Sequence, residues 1–344
     1  MADIPIATMR GQPVEREDAR REAARLLATA RCPVIAGLGT CAAGAEDAVD
    51  LARACGGVLD HSYSDALLRD LGAMREYGWI VATPLLARAR ADTVLLVGAG
   101  LDGFALPPRP TLDPRTERRV LRLGPENLLL KLSVLRALAA GRPVARGADP
   151  GDEMGRLAQA LRAARYGVAV WSGNTMTEIE IEALCGLVSD LNAATRWAGL
   201  PLAPPNNARG VAETLAWTTG FPTRISFARG RAEHDPVRFD ARRMVESGEA
   251  DVAVWVQALE PGPPPWGNKV PLIVVAAPGA EYLAEPPEVM LTVGKPGVDH
   301  DAVLYDAEVG TLVAVRAQAG NDIPPVSAAL GVLATQLREQ RARS

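Results

Sequence analysis

The chain has 344 residues, of which 48% are hydrophobic and 23% charged, a balance typical of a globular protein with room for two α/β domains. A net charge of −4 disfavours a general nucleic-acid-binding surface, and no apolar run approaches the roughly 20 residues of a membrane span. The first residues lack a basic segment followed by an apolar core, so we expect no secretory signal and a cytoplasmic protein.

The first half of the chain alternates helical and strand patterns. In chain order we predict helices at 14–31, 45–54, 67–77, 84–90 and 126–139, with strands at 33–38, 58–60, 93–98 and 120–123. Four prolines predict a loop at 106–114, and a segment rich in glycine, proline and charge predicts a surface linker at 141–152.

The second half continues the alternation. We predict helices at 153–165, 177–191, 210–218 and 326–340, a helix capped by Asp240 and closed by Gly248, and strands at 168–171, 253–256, 272–276, 289–293 and 312–316. Repeated β–α units of this kind predict parallel sheets with helices on both faces.

Few residues suggest chemistry by themselves. The loop Gly37–Gly44 could hold a phosphate at a helix N-terminus, but its spacing also fits an ordinary turn between strand and helix. The run from Asp299 to Asp301, with His300 between, could be a proton relay or a metal pair, or a solvated turn. Asp65 and Asp70 could form a carboxylate pair, or act as a helix cap and a surface charge.

The cysteines and histidines give no metal-binding pattern. None of the four cysteines forms a Cys-x-x-Cys pair, and the three histidines are far apart in sequence, whereas zinc and iron–sulfur sites normally show a closely spaced ligand pair. We therefore interpret these residues as structural.

One long and unusual pattern carries a family resemblance. It comprises Asn-x-x-Gly-x6-Trp-x-x-Gly-Phe-Pro at Asn207–Pro222, Phe-x-x-Gly at Phe227–Gly230, and Glu-x-Asp-x-Ala at Glu249–Ala253. The stretch resembles the B subunit of formylmethanofuran dehydrogenase, a family of molybdopterin and tungstopterin oxidoreductases, and weaker similarity extends over most of the chain.

The resemblance implies a particular domain arrangement. The fold would be two doubly wound, Rossmann-like parallel-sheet domains of the α/β class, one inserted into the other. Residues 1–60 plus 206–344 would form a discontinuous domain and 61–205 the inserted one. Periodicity alone would instead place one boundary, at 141–152.

This sequence departs from the family at the residues that carry its chemistry. The resemblance places the family's metal-ligating cysteine and the following histidine at Ala66 and Leu67, and its active-site arginine at Ala203. The family's cysteine-rich N-terminal segment is absent, and the first cysteine is Cys32. A methyl group cannot ligate a metal, and an isobutyl group cannot move a proton. We therefore expect no catalytic residue and no metal, iron–sulfur cluster or pterin cofactor in this chain.

The resemblance thus implies a non-catalytic structural subunit, like the relative of this family found in a formyltransferase/hydrolase complex. That complex works in tetrahydromethanopterin- and methanofuran-linked one-carbon metabolism, from formaldehyde to formate. The implied partners are a formyltransferase subunit, a zinc amidohydrolase-like subunit and a further subunit, with a methanofuran-type carrier as a ligand. Two alternatives stay open. One is an active molybdenum or tungsten dehydrogenase subunit with a ligand other than cysteine, and the other is an unrelated doubly wound small-molecule binder.

Two surface features suggest contacts. Arg224, Arg229 and Arg231 form a basic cluster that could receive the anionic tail of the carrier, or could form ordinary rim salt bridges. Trp266 follows three prolines, which keep it out of regular structure, so we predict that it is an exposed interface anchor. Trp217, with nearby phenylalanines, belongs to the same aromatic-rich stretch.

Overall fold

The computed structural model describes residues 6–107, 118–144, 153–279, 285–319 and 323–343. Most of the predicted loop at 106–114 and of the linker at 141–152 lies outside these residues.

The strands are short, and most lie near the predicted positions. They are β1 (Ala7–Met9), β2 (Gln12–Pro13), β3 (Pro33–Gly39), β4 (Val58–Leu59), β5 (Thr93–Val97), β6 (Arg119–Leu123), β7 (Gly167–Trp171), β8 (Trp197–Pro201), β9 (Ile225–Ser226), β10 (Glu233–His234), β11 (Val252–Gln257), β12 (Leu272–Ala276), β13 (Val289–Thr292), β14 (Ala302–Asp306) and β15 (Thr311–Val315).

Ten helices are described. They are α1 (Arg16–Thr29), α2 (Ala42–Cys55), α3 (Ser64–Tyr77), α4 (Pro84–Arg90), α5 (Leu128–Ala139), α6 (Glu153–Arg162), α7 (Glu178–Leu191), α8 (Ala208–Thr219), α9 (Ala241–Glu246) and α10 (Val326–Arg343). Among the described residues, no helix is both long and apolar enough to cross a membrane.

Contacts group the chain into two units. Unit 1 comprises residues 1–64, 205–305 and 312–344, and unit 2 comprises 65–204 and 306–311. The predicted junctions lie beside two of these boundaries, and the grouping of 306–311 with unit 2 was not predicted. The insertion of 61–205 as a separate α/β domain stays a prediction.

Unit 1 is built on a nine-stranded mixed sheet in the order β10-β9-β4-β3-β11-β12-β13-β1-β2. The five strands from β4 to β13 are parallel, and the strands outside them pair antiparallel. The chain runs from β3 through α2 to β4 on one side, while β11 lies on the other side of β3. The strand order therefore reverses between β3 and β11, which is where doubly wound sheets commonly bind ligands.

Both faces of the unit 1 sheet are buried, as continuous apolar strands require. Ile35 and Val254 belong to one core, which α1, α2, α8 and α10 cover. Val34, Ala253 and Trp255 belong to a second core, with α9 and the segment containing Trp266. Neighbouring residues of a strand enter different cores because successive side chains point to opposite faces.

Unit 2 has a four-stranded, fully parallel sheet in the order β6-β5-β7-β8. Leu95 and Val97 of β5 enter the core that α5, α6 and α7 share, whereas Val94 and Leu96 enter the core with α4. Both units therefore have parallel strands with helices on two faces, and the predicted α/β class is confirmed.

Local signals explain where several helices begin and end. Asp240 caps α9, its carboxylate accepting a hydrogen bond from the Arg243 amide at 2.8 Å, and Gly248 beyond that helix has a φ of 76°, as predicted. Thr177 and Glu180 form a reciprocal capping box at the start of α7.

Candidate functional site

Polar side chains gather in unit 1 at the carboxyl ends of β3, β4 and β11, where the strand order reverses. β4 is followed by Asp60 and His61, β11 ends at Gln257, and Asn206 and Asn207 precede α8. Asp60, His61 and Gln257 are each less than a tenth exposed. Buried polar groups need hydrogen-bond partners, so the partners of these residues define what the site can do.

Asp60 lies in a buried ionic network. Its carboxylate is 3.5 Å from Arg224 Nε and accepts a hydrogen bond from the Ala241 amide at 2.9 Å, at the start of α9. Burial raises the pKa of Asp60 to about 6, although the Arg224 charge and hydrogen bonds from Ser64 and Ala241 oppose that rise. Asp60 therefore ties the end of β4 to α9.

His61 is held as a neutral imidazole. Its Nδ1 accepts a hydrogen bond from the Tyr63 amide at 3.0 Å, so the proton resides on Nε2, which donates to the Asn206 carbonyl at 3.2 Å. Burial lowers the pKa of His61 to about 4, and the bond to Asn206 opposes this only in part. With both ring nitrogens engaged, His61 cannot bind a metal or accept a proton without breaking a hydrogen bond.

The two asparagines fix the loop before α8. Both have a left-handed backbone, with φ near 57°, which asparagine tolerates better than most residues. The Asn207 amide donates to the Thr40 carbonyl, and its oxygen accepts from the Tyr305 amide, both at 2.8 Å. The side-chain oxygen of Asn206, Oδ1, accepts a hydrogen bond from the Glu260 amide at 2.9 Å.

Gln257 completes the site, and its side chain lies close to Gly39. Its Nε2 donates to Ser62 Oγ at 3.0 Å, and Ser62 donates to the Gly37 carbonyl at 3.1 Å. A Cβ on Gly39 would lie 2.5 Å from Gln257 Oε1, so a larger residue there would displace the Gln257 amide. Gln257 Oε1 and Thr40 Oγ1 have no hydrogen-bond partner among the described residues. The other polar groups of this site bind the chain itself, so the arrangement fixes loops.

In unit 2, two of the three predicted degenerate positions are buried. Ala66 and Leu67 on α3 are 1% and 2% exposed, and Ala203 is half-buried after β8. A Cβ on Gly173 would lie 2.7 Å from the Ala66 carbonyl oxygen, so the two backbones approach closely. Arg69 Nη1 also donates to the Gly173 carbonyl at 3.0 Å. The first turns of α3 therefore pack against the loop after β7, and the methyl and isobutyl groups present there do not fit a metal-ligating site.

The predicted basic cluster is not a set of equivalent residues. Arg224 is only 8% exposed, and its guanidinium is engaged by Asp60, Asp240 and the Pro236 carbonyl. Arg224 is therefore unavailable to a carrier tail, which corrects that part of the prediction. Arg229 and Arg231 are exposed, and both pair with Glu233.

The prediction that Trp266 is exposed is wrong. Its side chain is 5% exposed and packs edge-on against Trp255, with ring centroids 5.4 Å apart. The prolines do keep Trp266 out of regular structure, but its indole still enters the unit 1 core. Trp217, on α8, is instead exposed, at 71%.

The two remaining candidates serve the fold. Asp70 is buried and accepts a hydrogen bond from Trp171 Nε1 at 2.9 Å, whereas Asp65 is exposed. Asp299 accepts from the Lys295 amide at 2.7 Å, and Asp301 accepts from the Ala317 amide at 2.8 Å. These bonds are typical of a structured turn and favour that interpretation over a proton relay.

Sequence reasoning missed Gln257. The signal that could have found it is its position, since polar residues at the carboxyl ends of parallel strands commonly line the site of a doubly wound sheet. The role of Asn206 was also missed, although paired asparagines before a helix indicate an unusual backbone.

Comparison with known proteins gives two groups of relatives. The chain is 33% identical to the B subunit of the formyltransferase/hydrolase complex Fhc of Methylorubrum extorquens, over 97% of each chain. It is 27% identical to the B subunit of a tungsten-containing formylmethanofuran dehydrogenase from Methanocaldococcus jannaschii, over 72% of this chain and 65% of the relative. No family model matches the chain.

A solved structure agrees with the first group. The fold superposes with a TM-score of 0.85, at 30% identity and over 98% of this chain, on a chain of the crystal structure of the formyltransferase/hydrolase complex FhcABCD from Methylorubrum extorquens in complex with methylofuran. That match covers 99% of the solved chain.

Proposed function

Since the chain belongs to the family of the B subunits of Fhc formyltransferase/hydrolase complexes, we propose that it is a non-catalytic, cofactor-free structural subunit of such a complex. The observation that carries this proposal is the start of α3. There Ala66 and Leu67 are buried at the positions where the resemblance to formylmethanofuran dehydrogenases implies a cysteine ligand and a histidine.

The unit 1 site supports the same proposal. Among the described residues, the polar groups at the ends of β3, β4 and β11, apart from Gln257 Oε1 and Thr40 Oγ1, bind one another and the loop backbones, and His61 is a neutral imidazole with both ring nitrogens hydrogen-bonded. Such a site holds its loops in place, a role that a structural subunit needs and that requires no reaction at this site.

The proposed partners are a formyltransferase subunit, a zinc amidohydrolase-like subunit and a further subunit. Formyl transfer followed by hydrolysis needs no redox metal, so the loss of the ligand positions carries no penalty in such an assembly. The test is purification from the native host under mild conditions, with identification of the co-purifying chains. Recovery of the chain as a monomer, while the other activities assemble and turn over without it, would contradict the proposal.

Metal content tests the cofactor-free part directly. We expect molybdenum, tungsten and iron well below one atom per chain in the purified assembly. Near-stoichiometric molybdenum or tungsten would favour the alternative of an active dehydrogenase subunit. Ala66→Cys should not restore dye-linked formyl-carrier oxidation, because the positions at Leu67 and Ala203 would still lack the other two side chains.

The carrier contact is a narrower proposal that rests on Arg229 and Arg231. Both guanidinium groups are exposed and share the single carboxylate of Glu233, so a positive charge remains for an anionic tail. Replacing both with glutamine should raise the apparent KM for the carrier, whereas Arg242→Gln, at an exposed arginine of α9, should not. An equal effect on the apparent KM in both variants, or no effect in either, would contradict a carrier contact at Arg229 and Arg231.

A further inference from the structure

Unit 2 contains an apolar cavity of about 220 Å³ between the end of α3, α7 and the edge of β8. Six side chains form most of its lining: Tyr77, Trp79, Ile80, Trp171, Cys185 and Val188. An engineered apolar cavity of about 150 Å³ accepts benzene, so this one has room for a phenyl or branched aliphatic side chain.

The cavity is built from rigid parts. After α3 the chain pairs with β8, where the Ala82 amide donates to the Gly199 carbonyl at 2.8 Å and the Gly199 amide donates to the Ile80 carbonyl at 2.6 Å. Gly199 leaves room for the Trp171 ring, which would lie 2.7 Å from a Cβ there. The Trp171 indole is tied to Asp70 at 2.9 Å, so the lining is fixed before anything binds.

The rim of the cavity is apolar as well. Ile80 is 52% exposed, and Tyr77 and Val81 beside it are exposed too. Leu85 and Val309 are exposed as well, and the Leu85 amide donates to the carbonyl of Glu308, the neighbour of Val309. Clustered exposed apolar side chains around a cavity mark a contact site, whereas scattered ones do not.

The charges around the rim are mainly acidic. The last turn of α3 and the first turns of α7 carry two carboxylates next to lining residues: Glu76 adjoins Tyr77, and Glu182 lies one helical turn before Cys185. Arg75 is the arginine on these segments. A surface of this kind favours a partner that brings positive charge around an apolar anchor.

We propose that this cavity is a docking site for an apolar side chain of another protein subunit, flanked on that subunit by lysine or arginine residues. The apolar lining selects the anchor, and the acidic rim selects its basic surroundings. The inference rests on the proposed function, because the partner is a subunit of the same assembly.

A photo-crosslinking amino acid at position 80 tests the contact in the complete assembly. Leu130 on α5 gives a matched control, since it is 55% exposed in the same unit but lies away from the cavity lining. We expect a crosslink from position 80 to a peptide of another subunit with an apolar residue next to lysine or arginine, and none from position 130 to that peptide. A crosslink from position 80 to this chain, or no crosslink within an intact assembly, would overturn the inference.

Substitutions test the two chemical components separately. Ile80→Asp should weaken assembly at least tenfold, whereas Leu130→Asp should leave it unchanged, with both variants melting as the wild type does. Glu76→Lys with Glu182→Lys should slow association by about tenfold at low salt, and the difference should shrink at high salt because exposed charges are screened. Equal effects of Ile80→Asp and Leu130→Asp, or a charge effect that salt does not alter, would contradict the inference.

These results separate the inference from the proposed function. If the wild-type chain co-purifies with its partners while position 80 stays uncrosslinked, the docking site is wrong and the subunit role stands. If the wild-type chain joins no assembly, the subunit role itself fails.

Discussion

The two units differ in where they put polar and apolar side chains. Ten of the twelve buried polar or charged residues described belong to unit 1, whereas ten of the fourteen exposed large apolar residues belong to unit 2. Unit 1 therefore uses buried polar groups to hold its loops, and unit 2 leaves apolar side chains on its surface. This contrast separates the part that maintains internal order from the part that offers contact surface.

The largest expected effect concerns Arg224 in unit 1. Arg224→Ala would leave Asp60 buried without its positive partner, and breaking such a pair typically costs about 3–5 kcal/mol in the free energy of unfolding. Urea unfolding followed by pulse proteolysis of this chain measures it. Arg231→Ala is the control, because that arginine forms an exposed pair and should change little. Similar losses in the two variants would show that the Asp60 network is not important to unit 1.

The pH dependence of unit 1 should reveal two opposing groups. His61 binds a proton near pH 4 when folded and near pH 6.5 when unfolded, so it lowers the free energy of unfolding as pH falls from 6.5 to 4. Asp60 binds a proton near pH 6 when folded and near 3.8 when unfolded, so it lowers that free energy as pH rises from 3.8 to 6. In the wild type the two slopes should nearly cancel between pH 4 and 6.

His61→Gln removes one side of this balance. The Asp60 contribution to the free energy of unfolding should then decrease by up to about 3 kcal/mol as pH rises from 4 to 6, because His61 no longer opposes it. Denaturation midpoints at several pH values measure the slope, and the difference from the wild-type slope isolates the His61 contribution. A variant whose stability rises over this range would reverse the assigned roles.

Disturbing the close contact between the start of α3 and the loop after β7 should lower the free energy of unfolding by a smaller amount. Gly173→Ala places a methyl 2.7 Å from the Ala66 carbonyl oxygen, and overpacking of this kind costs about 1–3 kcal/mol. Gly103→Ala is a matched control in unit 2, because nothing lies within 4 Å of the position that its methyl group would take. If Gly173→Ala is as stable as Gly103→Ala, α3 does not pack against the loop after β7 as described.

The smallest effect concerns the exposed aromatic of unit 1. Trp217→Ala should change the free energy of unfolding by no more than about 0.5 kcal/mol, because the side chain is 71% exposed. Trp255→Ala, at a buried indole of the same unit, should cost about 3–5 kcal/mol. A large loss in the Trp217 variant would show that unit 1, too, depends on its exposed apolar residues.

The sequence predicts most of the parallel strands because their apolar runs are distinct. The prediction at 272–276 matches β12, and the capping residue of α9 is correct. β8 was missed since Gly199 and Pro201 make it resemble a turn, and Gly199 is needed only because the Trp171 ring packs there. Because the requirement for Gly199 comes from a ring that is distant in the sequence, no local sequence pattern indicates this strand.

The candidate site was harder to predict for the same reason. One partner of Arg224 is Asp60, which is far away in the sequence, so a local cluster of arginines could not distinguish a buried ion pair from a binding surface. Trp266 illustrates the other limit, because a proline-rich segment indicates irregular structure but does not indicate exposure. The substitutions at Ala66 and Leu67, by contrast, could be recognised from the family pattern alone.

The turn at 306–311 has a practical consequence for anyone dividing this protein. It groups with unit 2, although the chain on either side of it belongs to unit 1, and the Leu85 amide at the start of α4 donates to the Glu308 carbonyl there at 3.1 Å. No single stretch of the gene therefore encodes either unit whole. An expression fragment of residues 65–204 would lack the acceptor for Leu85, so the two units are more safely studied by substitutions in the full-length gene than by dissection.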